Sequence, residues 1–130
     1  MIIGDRLYLF DLERGDVLRA LTIHPENTAV VAGKPARFRC ASNSSPSLTW
    51  IRIDVKTLKE TTLVSGCGLN PALTNVYALE NVGSGRCDLV VKKASAGDAG
   101  MYRCEETLGW DLKQSALLAV LGGFAQESLT

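Results

Sequence analysis

The chain has 130 residues, 46% hydrophobic and 22% charged, and its 14 basic and 14 acidic side chains cancel at neutral pH. That length suits one domain large enough to bury a core. Zero net charge argues against nucleic acid or an anionic membrane as the main partner, since both select a positive excess, and no apolar run reaches the ~18 residues of a membrane span.

Taken in chain order, helix signals are poor and turn residues recur at short intervals between β-rich runs. That is the pattern of an all-β sandwich or barrel. Residues 1–20 read either as a hairpin closed at Gly15 or as a leader, native or added. They lack the basic start, apolar run and cleavage site of a signal peptide, so the sequence is expected to be a fragment or a processed form. "ALTIHP" and "TAVVAG" are short edge segments. "ARFRCAS" alternates Ala36, Phe38 and Cys40 with Arg37 and Arg39, the period-two signature of a half-buried strand. "NSSPS" is a loop; "LTWIRID" and "TTLVSG" are strands; "CGLNPAL" is loop-like. "NVYALE" and "CDLVVKK" are strands separated by "NVGSG", and "AGMYRCEE" and "SALLAVL" close the set, joined by "TLGWDLK". The total is about nine short strands, as sandwich architectures require.

The four cysteines, Cys40, Cys67, Cys87 and Cys104, form no C-x-x-C pair, and His24 is the single histidine. Closed zinc sites bring ligands in closely spaced pairs, so disulfides and an oxidising compartment are the better reading. Catalysis finds no support. His24 stands alone near an edge, Glu105 and Glu106 point to opposite faces of a strand, and "GSG" at Gly83 to Gly85 is a hairpin turn and not a phosphate loop. No cofactor and no metal site is expected.

The run "LVVKKASAGDAGMYRC" places Asp98, Gly100, Tyr102 and Cys104 at alternate positions, after Leu89 and Val91. Cys40 lies on an earlier strand, and Trp50 follows it by ten residues. Over residues 21–121 the sequence resembles the immunoglobulin superfamily, and within it the variable-type (V-set) domain. The resemblance implies a sandwich of two antiparallel sheets in a Greek key, bridged by Cys40–Cys104. Trp50 would pack on that bridge, the Tyr102 hydroxyl would bond to backbone at a corner, and Arg52 would pair with Asp98. With Cys40–Cys104 so assigned, Cys67–Cys87 is expected as a second bridge, free thiols or an interchain bond being the alternatives. The end of the domain, "LKQSALLAV", lacks the [FW]-G-x-G stretch of antigen-receptor variable domains, with Ser115 where a glycine would stand. The likeness is therefore to V-set modules of multidomain cell-surface or secreted proteins, with residues 122–130 as a tail.

Such a module implies non-enzymatic extracellular recognition or adhesion, with a protein or glycan ligand, in immune recognition or as a receptor. The alternative is a self-associating, homodimeric domain of a larger chain. Strand parity names the candidates. If Trp50 points inward, Ile51 and Ile53 point out, and Met101, Arg103 and Glu105 share that outer face. Trp110, near the tip of the last connection, is a candidate anchor. Asn43-Ser44-Ser45 is a candidate glycosylation acceptor, followed by Pro46.

Overall fold

The structure is a computed structural model and describes residues 10–11, 16–17, 20–43, 47–107 and 112–122. β1 (Phe10–Asp11) pairs antiparallel with β2 (Asp16–Val17). This is the hairpin alternative for the first twenty residues; its turn lies outside the described residues.

Two larger sheets follow. The first has the order β10-β11-β6-β3, from β10 (Tyr77–Gly83), β11 (Arg86–Val91), β6 (Ala41–Ser42) and β3 (Leu21–Ile23), and β5 (Ala36–Phe38) also pairs with β11. The second has six strands in the order β4-β13-β12-β7-β8-β9. These are β4 (Thr28–Val31), β13 (Lys113–Leu121), β12 (Gly100–Glu106), β7 (Leu48–Ile53), β8 (Glu60–Ser65) and β9 (Gly68–Leu69). Among the described strands of this sheet, only the β13–β4 pairing is parallel. The "CGLNPAL" stretch read as a loop contains β9 and a short 3-10 turn at Pro71–Leu73, opened by the Asn70 side chain, which accepts the Ala72 amide hydrogen at 2.9 Å.

Period-two patterning explains the core. Phe38 (β5), Cys87, Leu89 and Val91 (β11), Tyr102 and Cys104 (β12), and Ala116 and Leu118 (β13) are buried side chains at alternate positions, and they meet Trp50 and Val64 in one cluster. Phe38 stacks on Tyr102 with ring centroids 5.3 Å apart, and Tyr77 meets Tyr102 edge-on. Cys40–Cys104 is a disulfide between the sheets, and Trp50 lies opposite Cys104 in the β7–β12 register. The Trp50 indole N–H donates to the Cys87 carbonyl at 2.9 Å, so the buried ring has no unpaired polar atom.

The corner into β12 is built as the motif implies. The Tyr102 hydroxyl donates to the Asp98 carbonyl at 2.5 Å, and burial pushes its ionisation well above the ordinary tyrosine value. Gly100 has φ +147, which L side chains rarely adopt. The expected Arg52–Asp98 ion pair is corrected. Arg52 donates to the carbonyls of Gly97 and of Ala99 (3.1 Å), on either side of Asp98. The Asp98 carboxylate turns back to accept the Ser95 amide at 2.8 Å and the Ser95 hydroxyl at 3.1 Å. Two carbonyls within reach satisfy the guanidinium, and the carboxylate is occupied in closing its own turn.

Candidate functional site: the outer face of the six-stranded sheet

The register sets the outer face residue by residue. Across β7 and β12, Thr49 faces Glu105, Ile51 faces Arg103 and Ile53 faces Met101. Across β12 and β13, Arg103 faces Ser115 and Met101 faces Leu117. On the other side of β7, Ile51 faces Thr62 and Ile53 faces Glu60. The structure thus brings together the five predicted sheet-face residues, Ile51, Ile53, Met101, Arg103 and Glu105.

It corrects their exposure. Ile51 and Ile53 are each only 7% exposed. Arg103 starts on β12, yet its guanidinium meets the Glu60 carboxylate on β8 in two hydrogen bonds, of 3.1 and 3.0 Å. β7 lies between those strands, so the arginine side chain arches over it. Its Nε also donates to Glu105 at 2.8 Å. The isoleucines point outward as parity requires, and the Arg103 side chain, a charged strap with an apolar stem, crosses β7 on their face of the sheet. The hydrogen bond from Arg103 holds Glu60 below the ordinary carboxylate range, and the same bond raises the Arg103 guanidinium.

The exposed apolar surface lies one strand further on. Leu117 is 46% exposed, and beside it on β13 and β4 stand Leu121 and Val31, paired with each other and both more than half exposed. Residue-by-residue reading missed them because "SALLAVL" is a continuous apolar run with no alternation of its own. The pairing of Tyr102 with Ala116 settles the parity and turns Leu117 outward. Trp110 lies outside the described residues. Asn43 is exposed, and its side-chain oxygen accepts the Ala20 amide at 2.8 Å; the rest of its acceptor motif, with Pro46, lies outside the described residues.

The second cysteine pair differs from expectation in bond and not in place. Cys67 and Cys87 are free thiols; Cys87 lies in the buried core cluster and Cys67 packs against that cluster. A cleft of about 360 Å³ opens elsewhere, with Arg52, Asp54 and Lys59 above Leu63 and Tyr77. Its arginine is held by the two carbonyls, and the Asp54 carboxylate by the amides of Lys56 (2.8 Å) and Thr57 (3.0 Å), which depress its pKa. Among the described residues no group of His, Cys, Asp or Glu is arranged to hold a metal ion, and no helix is long and apolar enough to cross a membrane.

The family model described as "Immunoglobulin domain" matches residues 20–107. The chain belongs to that family. Solved structures agree on the fold of this immunoglobulin domain. The RIG-5 IG1 homodimer structure aligns with a TM-score of 0.65 at 16% identity, over 78% of this chain and 96% of that one. The titin I-band fragment I67–I69 aligns at 0.57 and 24% identity, over 80% of this chain and 32% of that one. A chimeric titin Z1Z2 aligns at 0.57 and 18% identity, over 80% and 94%. A comparison with curated proteins finds no match.

Proposed function

We propose that this immunoglobulin domain is a non-enzymatic, variable-type recognition module that binds a protein partner through the outer face of its six-stranded sheet. One observation carries the reading. Exposed Leu117 and half-buried Met101 lie on that face directly beside the Arg103–Glu60–Glu105 network. An apolar centre bordered by ordered charge is the anatomy of protein interfaces, in which Met and Arg are enriched. The variable-type assignment is supported by β8 and β9, which extend the sheet beyond β7. The Cys40–Cys104 bridge supports an extracellular setting, since disulfides persist in oxidising compartments. A glycan partner is less favoured, because saccharide sites use aromatic platforms and this face presents none among the described residues.

Self-association through the same face is the second reading. It is favoured by the likeness to RIG-5 IG1, a domain solved as a homodimer.

Tetramers of the domain, screened against a panel of purified ectodomains that includes the domain itself, test both readings. Leu117→Glu should abolish a detected interaction, and Arg37→Glu, on the opposite sheet, should leave it intact. Binding that ignores Leu117→Glu, or that both changes weaken equally, refutes the face. Ile51→Asp is the wrong probe, because Ile51 is buried and a charge placed there should destabilise the domain whether or not the face binds.

A further inference from the structure

Cys67 and Cys87 come from opposite sheets and pack into the same core cluster of the sandwich. Cys67 lies in the turn between β8 and β9, with φ 58, and its sulfur accepts the Leu48 amide hydrogen at 3.4 Å. Its own amide donates to the Leu48 carbonyl at 2.7 Å, so the turn is fastened to β7 on both sides of the cysteine. Cys87 is fully buried on β11, where its amide donates to the Cys40 carbonyl at 3.0 Å. Its carbonyl accepts the Trp50 indole N–H at 2.9 Å, so both cysteines are fastened to β7 at positions two residues apart, Leu48 and Trp50. Cys67 is partly exposed and packs against the same core cluster.

We propose that Cys67 and Cys87 are a redox pair, which closes to a second intradomain disulfide by exchange with a low-molecular-weight disulfide such as glutathione disulfide. The asymmetry of exposure orders the steps. Cys67, the reachable thiol, loses its proton and attacks one glutathione sulfur. The glutathione S–S bond breaks, and one glutathione leaves as thiolate and takes up a proton. Cys87 then gives up its proton and attacks the Cys67 sulfur of the mixed disulfide, expelling the second glutathione, which is protonated in turn. Two protein thiols are oxidised by two electrons, and one glutathione disulfide is reduced to two thiols. Both thiols belong to one core region beside the same stretch of β7, which is where a bond of about 2 Å would form. Burial raises the Cys87 thiol's pKa and keeps it from competing for the external disulfide. Closure ties the β8–β9 edge of the six-stranded sheet to β11 of the other sheet. Because β8 carries Glu60, the anchor of the Arg103 strap, the bond also fixes one border of the proposed binding face.

The test uses the folded chain with Cys40–Cys104 intact. It is equilibrated in glutathione buffers of increasing oxidised fraction, quenched with an alkylating agent and mapped without reduction. Loss of two alkylation sites, a new Cys67–Cys87 linked peptide, and a thermal midpoint raised by about 10 °C are expected. In Cys67→Ala, Cys87 should remain an unmodified thiol under the same buffers. A stable glutathione adduct on Cys67 with Cys87 still reduced would overturn the proposal. So would a disulfide between two chains through Cys67, or two thiols that stay alkylatable at the most oxidising ratio. These readouts do not depend on any binding partner.

Discussion

Replacing Arg103 tests how the outer face is held. Two contributions are separable. The first is ionic: a two-bond contact to Glu60, which is about half exposed, and one bond to Glu105. Partly solvated networks of this kind are worth about 1 kcal/mol. The second is cover. Truncation at Cβ removes the stem that shields Ile51 and Ile53. If each rises from 7% to about a quarter exposed, roughly 60 Å² of apolar surface is uncovered, at a cost of about 1.5 kcal/mol. Arg103→Ala should therefore cost about 2–3 kcal/mol, and Arg103→Met, which keeps an apolar stem of similar reach, about 1 kcal/mol.

Equilibrium urea unfolding at neutral pH without reductant reads both values. Repeating it at high salt should shrink both deficits by a similar amount, erasing most of the methionine variant's and leaving the cover part of the alanine variant's, because salt screens only the ionic part. Equal destabilisation by the two substitutions would refute the cover argument and leave the ion pairs as the whole effect. A loss below about 0.5 kcal/mol in Arg103→Ala would mean that something other than the arginine buries the isoleucines.

The Glu60 carboxyl should titrate below the ordinary carboxylate range in the wild type, chiefly through the Arg103 hydrogen bond, and should move upward in Arg103→Met, as read by carbon-detected NMR. Its folded-state pKa is depressed, so the stability it contributes is present above its unfolded value and is lost as pH falls through the folded one. Tyr102→Phe removes the hydroxyl from the Asp98 carbonyl and should cost about 1–2 kcal/mol in thermal unfolding, with the fold retained. The Tyr102 ionisation is raised by burial, so its phenol should stay protonated until alkaline unfolding, and Tyr102→Phe should leave the pre-unfolding ultraviolet difference absorbance unchanged. Opening the Cys40–Cys104 link by paired alanine substitution releases a 64-residue separation and should cost about 4 kcal/mol on the chain-entropy account, measured by urea unfolding.

The fold was legible because its evidence is local and periodic. Cys40, Trp50, Tyr102 and Cys104 carry the resemblance to the immunoglobulin superfamily, which implies inward positions for them, and each of the four is buried. The absence of the [FW]-G-x-G bulge was also informative. β12 and β13 pair without a register shift from Gly100↔Leu118 to Glu105↔Lys113, with Ser115 an ordinary outward residue opposite Arg103. Arg52 was read one atom group too far: the spacing placed it at the corner, but carbonyls and a carboxylate are equally close there, and spacing does not choose between them. For the cysteines, the sequence could place the pair and not its oxidation state, which depends on the surrounding redox buffer as well as on the chain.

The face itself shows why parity stops short of function. Parity gives the direction of a side chain, and Ile51 and Ile53 do point outward. Exposure depends on what a neighbour two strands away can reach, and Arg103 reaches Glu60 because β12 and β8 flank β7 in the sheet, although the two residues are 43 apart in sequence. The same three-strand relation explains where the apolar surface goes. The arginine leans toward β8 and away from β13, so β7 is covered while Leu117, on the far side of β12, has no strap over it. The exposed apolar centre is thereby displaced from the middle of the sheet toward its β13–β4 edge. A partner that docks there meets Leu117 and Met101 first and the Arg103 network as a border. Substitutions at Leu117 should therefore change affinity with little effect on stability, whereas substitutions at Ile51 should do the reverse.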